Sequence, residues 1–384
     1  MSGKINVAMV GLGACGGSIT ECAVASELTK DVLVINASEE DLESLSLLDT
    51  DSKLKIPGIG GAAKDRQKIY DQFRKDGTVT KFMAAFDARI GNTPHDIVFV
   101  VAASGGGTGS GLISVIPRVI RKAHPELMVI PIVVIPNLSE RGIPQQNTLD
   151  CIKELENGGF TLILVNNERI SEGNLFAKYD EINKETIENL RRFVQFDKIS
   201  KFQNIDTADR LAMFSDPGIL VIGSSLVDPE EDSPMRNAVR RALASTPMSA
   251  DIAGNIKRVA LQCEMDSQMY TEENRSDTVA LFKNVAGVFE GFYEPDESAG
   301  NLTNRILVVI SGAHMNADEV RERESLANQQ FTEDTTKAVK INGGNSKLKQ
   351  IWASSTASDA AGSSEEKKDE GYDDIFAEID DIRK

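Results

Sequence analysis

The chain has 384 residues, enough for one large or two ordinary domains, and 41% hydrophobic residues support a real core. Its 59 acidic and 42 basic side chains give a net charge of −17, which argues against broad binding of nucleic acid or an anionic membrane by the body. Cys15, Cys22, Cys151 and Cys263 have no metal-site spacing, His95, His124 and His314 are scattered, and no apolar run approaches the roughly 20 residues of a membrane span. With no leader segment, the cysteines are expected to be reduced thiols of a cytoplasmic protein.

In chain order, Ile5–Val10 reads as a buried strand running into Gly11-Leu12-Gly13-Ala14-Cys15-Gly16-Gly17-Ser18, with a helix starting near Ser18. Gly11, Gly13 and Gly16 form a GxGxxG pattern that suits either a dinucleotide or the phosphates and base of a mononucleotide. Val32–Ile35 is a second strand. It ends at Asn36, where a dinucleotide fold wants an acid for the ribose hydroxyls, so an NAD-dependent oxidoreductase is disfavoured. The stretch Ile56–Arg66, with Gly61 and Ala62, is either a plain surface turn or a second ligand-facing loop. A helical stretch is predicted over Gln67–Arg89.

The next strand, Asp96–Ala103, leads into Ser104-Gly105-Gly106-Gly107-Thr108-Gly109-Ser110-Gly111, and helical spacing resumes over Leu112–Ile120. A loop this poor in Cβ atoms lets backbone N–H groups approach an anion, and a helix N-terminus behind it adds positive potential. Thr108 and Ser110 can add hydroxyl donors. A flexible Gly/Ser linker would not sit between a buried strand and an amphipathic helix.

Leu127–Val134 and Phe160–Val165 read as further buried strands, ending near Glu140 and Arg141 and at Asn166, with a helix from Gln145 to Leu155 between them. Alternating strands and helices imply a parallel sheet covered on both faces, with ligands beyond the carboxyl ends of the strands. All the glycine loops fall on that edge. A long helix, Phe176–Ile199, follows. Asp206 and Asp209 lie one helical turn apart, either as a functional carboxylate pair or as an N-cap with an acidic first turn.

Beyond Gly218 the strands Gly218–Gly223, Arg258–Cys263, Asn284–Phe292 and Arg305–Gly312 and the helix Pro234–Ala244 suggest a second, smaller mixed α/β unit for structure or subunit contact. Ser354–Ser364 is rich in Ser and Ala and Glu365–Glu370 is charged, a composition that predicts disorder. In the last segment Tyr372, Ile375, Phe376, Ile379 and Ile382 fall on one helical face among acids. That reads as a partner-binding motif on a tether, or as a solubilising tail.

Gly105–Gly111 resembles the GGGTGSG signature of the tubulin/FtsZ superfamily, and the resemblance extends from Ile5 to about Gly312. It implies a GTP-binding domain (1–175), a central helix (176–200), a synergy loop and following helix (201–217), a C-terminal α/β domain (218–325), and a helical extension with an acidic tail (326–384). By this resemblance Gly11, Gly13, Ala14, Gly16, Gly17, Asn36, Gly61, Ala62, Gly105, Gly106, Gly107, Thr108, Gly109, Ser110, Glu140, Arg141 and Asn166 contact GTP or GDP. Tyr179 would stack on guanine and Asn183 would bond its edge. Asn204-x-Asp206-x-x-Asp209 is similar to the synergy loop, which places Asp206 and Asp209 as catalytic acids against the nucleotide of the next subunit.

The resemblance also implies Mg²⁺, though no direct ligand is assigned, and a head-to-tail homopolymer that hydrolyses GTP on assembly. The tail lacks the Pro-containing terminal peptide of division FtsZ, and the layout looks more like the TubZ and PhuZ proteins of plasmids and phages. A filament that segregates or positions DNA is therefore expected, touching DNA only indirectly, through an adaptor on the tail. A division-ring role of the FtsZ type is the alternative.

Overall fold

A computed structural model describes residues 3–75, 77–168, 174–254, 256–295, 297–298, 301–329 and 371–383. The apolar runs form the middle of a single ten-stranded sheet. Its first half comprises β1 (Val7–Leu12), β2 (Val32–Asn36), β3 (Lys53–Lys55), β4 (Ile97–Ala103), β5 (Met128–Ile135) and β6 (Thr161–Asn166), all parallel and ordered β3-β2-β1-β4-β5-β6. Residues at successive positions of β1, β2 and β6 are all buried, because helices cover both faces.

The helices of this half are α1 (Gly13–Ala25), α2 (Glu39–Glu43), α3 (Arg66–Phe73), α4 (Thr78–Phe86), α5 (Thr108–Leu112), α6 (Ile116–Ala123) and α7 (Ile143–Asn157). Helix α1 begins at Gly13, earlier than the Ser18 expected, with a positive φ of 71° at its first residue. The stretch expected as one helix over 67–89 is α3, α4 and a π-helical turn, Asp87–Gly91. The break falls at Gly77, whose φ of 65° an L-residue adopts at a cost.

The central helix α8 spans Leu175–Val194, and α9 (Thr207–Phe214) follows it. Helix α8 stops short of the expected Ile199 for a visible reason. The buried Arg210 guanidinium donates to the carbonyls of Phe193 (3.1 Å), Val194 (3.5 Å) and Phe196 (2.9 Å), so the terminal acceptors are satisfied by a side chain rather than by another turn.

The second half of the sheet contains β7 (Gly218–Leu226), β8 (Arg258–Glu264), β9 (Gly287–Tyr293) and β12 (Arg305–Ala313), in the order β7-β12-β8-β9. Strand β7 pairs parallel to β6, so one sheet runs through both halves. Strand β12 is antiparallel to β7 and β8, which makes this half mixed. A short hairpin, β10 (Glu297–Ser298) with β11 (Asn301–Leu302), stands apart. The covering helices are α10 (Pro234–Ser245), α11 (Glu272–Val279) and α12 (Ala317–Ala327).

The Ser/Ala-rich stretch 354–364 and the charged run 365–370 lie outside the described residues. The terminal segment does not. It forms α13 (Asp373–Arg383), which lies on α3, α6 and α7 with Ile375, Phe376 and Ile379 buried. The apolar face read as a partner motif is covered by the chain's own body.

Candidate functional site

Because β1, β2, β4, β5 and β6 are parallel, their carboxyl ends share one edge. A cavity of about 300 Å³ opens there, at the small end of ligand-binding cavities. Leu12, Gly13, Ala14 and Cys15 form one wall, Asn36 and Asp41 a second, Ala62, Ala63 and Lys64 a third, and Ala103 with Gly106–Gly109 the floor. A larger cavity of about 800 Å³ lies between α10 and the 280–285 segment, remote from every glycine loop. The smaller one is where backbone donors converge on an edge poor in Cβ atoms, which is the chemistry a phosphate needs.

The glycines divide by task. Gly13, Gly106, Gly107 and Gly109 line the cavity. At Gly107 a Cβ would collide with the Ala62 side chain, so the loop 61–65 sits directly on the cradle. Gly11, Gly16 and Gly17 instead permit close packing. A Cβ on Gly11 would lie 2.6 Å from the Gly16 carbonyl, one on Gly16 would meet the Val101 carbonyl of β4, and one on Gly17 would meet Leu45. Gly105 is buried against Pro136 and Pro144. Gly61 has open space and is not part of the wall, which Ala62 supplies.

Ser110, read from the sequence as an outward hydroxyl donor, is buried and donates to the carbonyls of Gly106 and Gly107 (3.2 Å). It braces the loop from inside. Thr108 remains at the cavity. The helix behind the loop is the single short turn of α5, because Gly109 and Gly111 are poor helix formers and Pro117 starts a new helix at the first turn of α6. The loop amides therefore offer an anion more than a helix dipole of this length does.

Asn36 is buried and its amide is bonded on both sides. Oδ1 accepts from the N–H of Ala37 (2.7 Å) and Ser38 (3.2 Å), and Nδ2 donates to Asp41 Oδ2 (3.0 Å). It holds a carboxylate, Asp41, on the cavity wall. Asn147 of α7, buried, donates through Nδ2 to the carbonyls of Lys64 (3.1 Å) and Gly106 (3.2 Å), so one side chain ties the loop 61–65 to the glycine loop. Ala63 and Lys64 have left-handed φ of 50° and 63°, which marks this loop as strained. Lys64 Nζ stands 3.9 Å from Glu140 Oε2 across the mouth. Arg141 is exposed on the same edge. Asn166 is not on the cavity wall; its Oδ1 accepts from the Glu168 N–H at 2.9 Å.

Tyr179 is half-buried near the start of α8. Burial, then the Glu140 charge, raises its phenol above the ordinary value. Asn183 follows one turn later on the same face of α8. Burial pushes the Cys15 thiol up to about 12 and the Cys151 thiol up to about 11, so neither is a nucleophile at neutral pH. All four cysteines are free.

Asp206 and Asp209 sit beyond the other end of α8. They form a reciprocal capping box on α9. Asp206 Oδ1 accepts the Asp209 N–H at 2.8 Å, and Asp209 Oδ2 accepts the Asp206 N–H at 3.1 Å. The two readings left open by the sequence are compatible, since each carboxylate spends one oxygen on the cap. Helix α8 has 20 residues, about 30 Å of rise, so the acids and the cradle stand at opposite ends of the chain's central helix. Large apolar side chains are exposed at both ends: Ile143 (60%) and Phe176 (81%) by the cradle, Ile199 (73%) and Phe202 (80%) by the acids.

Residues 6–174 match the family model described as the Tubulin/FtsZ family, GTPase domain. That part of the chain, and with it the sheet edge that carries the cavity, is similar to the tubulin/FtsZ GTPase domain. The tubulin-like protein CetZ of Methanothrix thermoacetophila is 23% identical to it over 313 residues, covering 75% of this chain and 83% of the relative. Cell division protein FtsZ 1 of Methanocaldococcus jannaschii is 26% identical over 327 residues, covering 80% and 83%. The crystal structure of a GTPγS-form protofilament of Bacillus thuringiensis serovar israelensis TubZ shares the fold at a TM-score of 0.73 and 17% identity, covering 88% of this chain and 94% of that one.

Within this tubulin/FtsZ fold, Asp41 and Asn147 are the site residues that motif reading missed, while Ala63 and Lys64 belong to the stretch 56–66 already read as a possible ligand-facing loop. Asp41 had a signal, an acid five residues past a strand-end Asn. Asn147 had none, because a polar residue on an amphipathic helix does not announce that it faces two loops. Among the described residues no group of three or more His, Cys, Asp or Glu converges as a metal site, and no helix is long and apolar enough to cross a membrane.

Proposed function

We propose that this protein binds GTP at the glycine cradle, polymerises head to tail, and hydrolyses GTP where the Asp206/Asp209 end of one subunit meets the cradle of the next. The observation that carries this reading is the separation of cradle and acids by the length of α8. A phosphate-binding loop and a carboxylate pair that cannot meet in one chain can meet between two. A heterologous contact of this kind does not close on itself and generates a filament. The exposed apolar residues at both ends suit such a contact.

In this mechanism the amides of Gly106–Gly109 and Gly13 hold the phosphates, and Lys64 adds a cation at the loop facing the terminal phosphate. Tyr179 stacks on the base, Asn183 bonds its edge, and Glu140 and Arg141 stand at the mouth. Asp206 and Asp209 orient and polarise the attacking water in trans. Mg²⁺ is bound mainly by phosphate and water in sites of this type, and one wall carboxylate, Asp41, fits that need; the ion would neutralise charge on the phosphates. Helix α8, α9 and the 218–325 unit then act as one lever between the two half-sites.

A filament that segregates or positions plasmid or phage DNA through an adaptor in the cytoplasm is the favoured role, on the form of the tail and the acidic body. The similarity to FtsZ 1 favours a division-ring role as the second reading. Light scattering and phosphate release against protein concentration, with GTP and Mg²⁺, test the core of the proposal. Hydrolysis per molecule should rise steeply with the onset of scattering. A rate per molecule independent of concentration would reject assembly dependence.

A further inference from the structure

The terminal helix α13 is held by an unusually complete set of contacts. Its apolar face is sealed by Ile375, Phe376 and Ile379, each at most 6% exposed. Phe376 meets Tyr70 edge-on at 5.4 Å, and the Tyr70 hydroxyl lies 2.9 Å from both the Phe376 carbonyl and Asp380 Oδ1. The charges are complementary by side: acids on α13 against bases on the body. Arg74 pairs with Asp380 at 3.1 Å, Arg118 with Glu378 at 3.4 Å, and Lys122 with Asp374 at 2.5 Å. The exposed Arg74 and Lys122 pairs contribute little each, so the buried aromatic contact, the buried Arg118 and one buried carboxylate dominate.

That carboxylate is Glu154 of α7, which Arg383 reaches at 2.8 Å. The same carboxylate takes two bonds from Arg66, at 2.9 and 2.6 Å, and Arg66 also donates to the Ser110 carbonyl at 3.0 Å. Arg66 is the first residue of α3, one position after the loop that rests on Gly107. Tyr70, the main grip on α13, is on that same short helix, and Arg74 caps its end. One wall of the tail's groove is therefore continuous with one wall of the phosphate cavity. Asp65 caps α3 by accepting the Lys68 N–H at 3.0 Å, so loop and helix are joined without a slack residue.

We propose that the groove between α3, α6 and α7 is a receptor for the acidic terminal helix of this chain, and that a nucleoside triphosphate in the cradle loosens its grip. The structure with α13 docked is also the one in which Ala62 lies against Gly107 and the cavity is small. A terminal phosphate entering there displaces 62–64, which the left-handed Ala63 and Lys64 already strain, and α3 moves with them. The groove then loses its fit to Phe376 and Asp380. A diphosphate leaves the loop where it is. The terminal helix thus becomes more available for other contacts in the triphosphate state. By linkage, undocking must favour the triphosphate to the same degree.

This inference rests on the guanine-nucleotide reading above, and its test separates the two. Hydrogen exchange of the peptide covering 371–383 is followed in the full chain with GDP and with a non-hydrolysable GTP analogue, below the concentration at which scattering appears. Nucleotide occupancy is measured on the same samples with a fluorescent analogue. The expected result is exchange faster by about fivefold or more with the triphosphate, the lower end of ordinary allosteric coupling. Phe376→Ala, which weakens docking without touching the body, should raise the affinity ratio of triphosphate to diphosphate by a similar factor. Equal or slower exchange with the triphosphate at full occupancy overturns the inference and leaves the functional reading standing. Failure of either nucleotide to bind overturns that reading, and the inference with it.

Discussion

Arg66 grips Glu154 in a two-pronged, buried ion pair, 88 positions apart in sequence, with bonds of 2.9 and 2.6 Å. The pair joins the start of α3 to the last turn of α7, and Ser114 adds a third hydrogen bond to the carboxylate. It locks the helix that follows the cavity-lining loop 61–65 onto the body. Burial alone would raise the Glu154 carboxyl, but the bonds and charges of Arg66 and Arg383 outweigh it and hold the group below the usual carboxylate range.

That sign predicts an acid response. A carboxylate depressed in the folded state contributes stability that is complete above its unfolded value, about 4.3, and is lost as pH falls through the lower folded value. Exchange protection of 371–383 should therefore be flat at neutral pH and fall below about pH 4. Glu154→Gln should weaken this dependence and, by leaving the buried Arg66 and the partly buried Arg383 short of a charge partner, destabilise the fold by about 3–5 kcal/mol in chemical denaturation.

The capping box allows chemistry and folding to be separated at the acid end. Asn is as good an N-cap as Asp, whereas Ala costs about 1 kcal/mol. Asp206→Asn should thus unfold at nearly the wild-type denaturant midpoint yet lose about 10²–10⁴-fold in GTP hydrolysis. Asp209→Ala should lose hydrolysis and some stability together. In both, GTP affinity should stay near normal and filaments should persist in electron micrographs.

At the base, Asn183→Ala should relax the preference for GTP over ATP, measured by competition against a fluorescent guanine nucleotide. An unchanged preference would move base recognition elsewhere on the edge.

At the cradle, Lys64 is half-committed to a long pair with Glu140. Lys64→Ala should weaken triphosphate binding more than diphosphate binding, by about tenfold for a loss of some 1.4 kcal/mol, within the range of a hydrogen bond to a charged group. Asn147→Ala, which unties loop 61–65 from Gly106, should weaken both while leaving the difference between them smaller.

Much of this was legible in the sequence because buried parallel strands are spelled as apolar runs. Asp96–Ala103 and Leu127–Val134 could hardly be anything else, and their loops had to share an edge. Contacts across sequence distance were not legible. Gly11 and Gly16 match a nucleotide-binding pattern yet serve strand–helix packing, because the pattern encodes close approach without saying what approaches. Helix α8 is shorter than its periodicity because Arg210, beyond its end, takes the last carbonyls. The amphipathic terminus was visible as a helix needing cover, but a hydrophobic face does not name its partner. Here the cover is Tyr70 and its neighbours, some 300 positions earlier.

The most direct test of a site shared between subunits is complementation by mixing. Asp206→Asn keeps the cradle and lacks an acid; Gly107→Ala keeps the acids and blocks the cradle. Each alone should hydrolyse GTP at a small fraction of the wild-type rate. Mixed in equal amounts, with co-sedimentation showing that both enter the same polymer, they should hydrolyse GTP well above the sum of the separate rates, because some contacts then pair an intact cradle with intact acids. A mixture that co-assembles but stays at that sum would contradict the shared site.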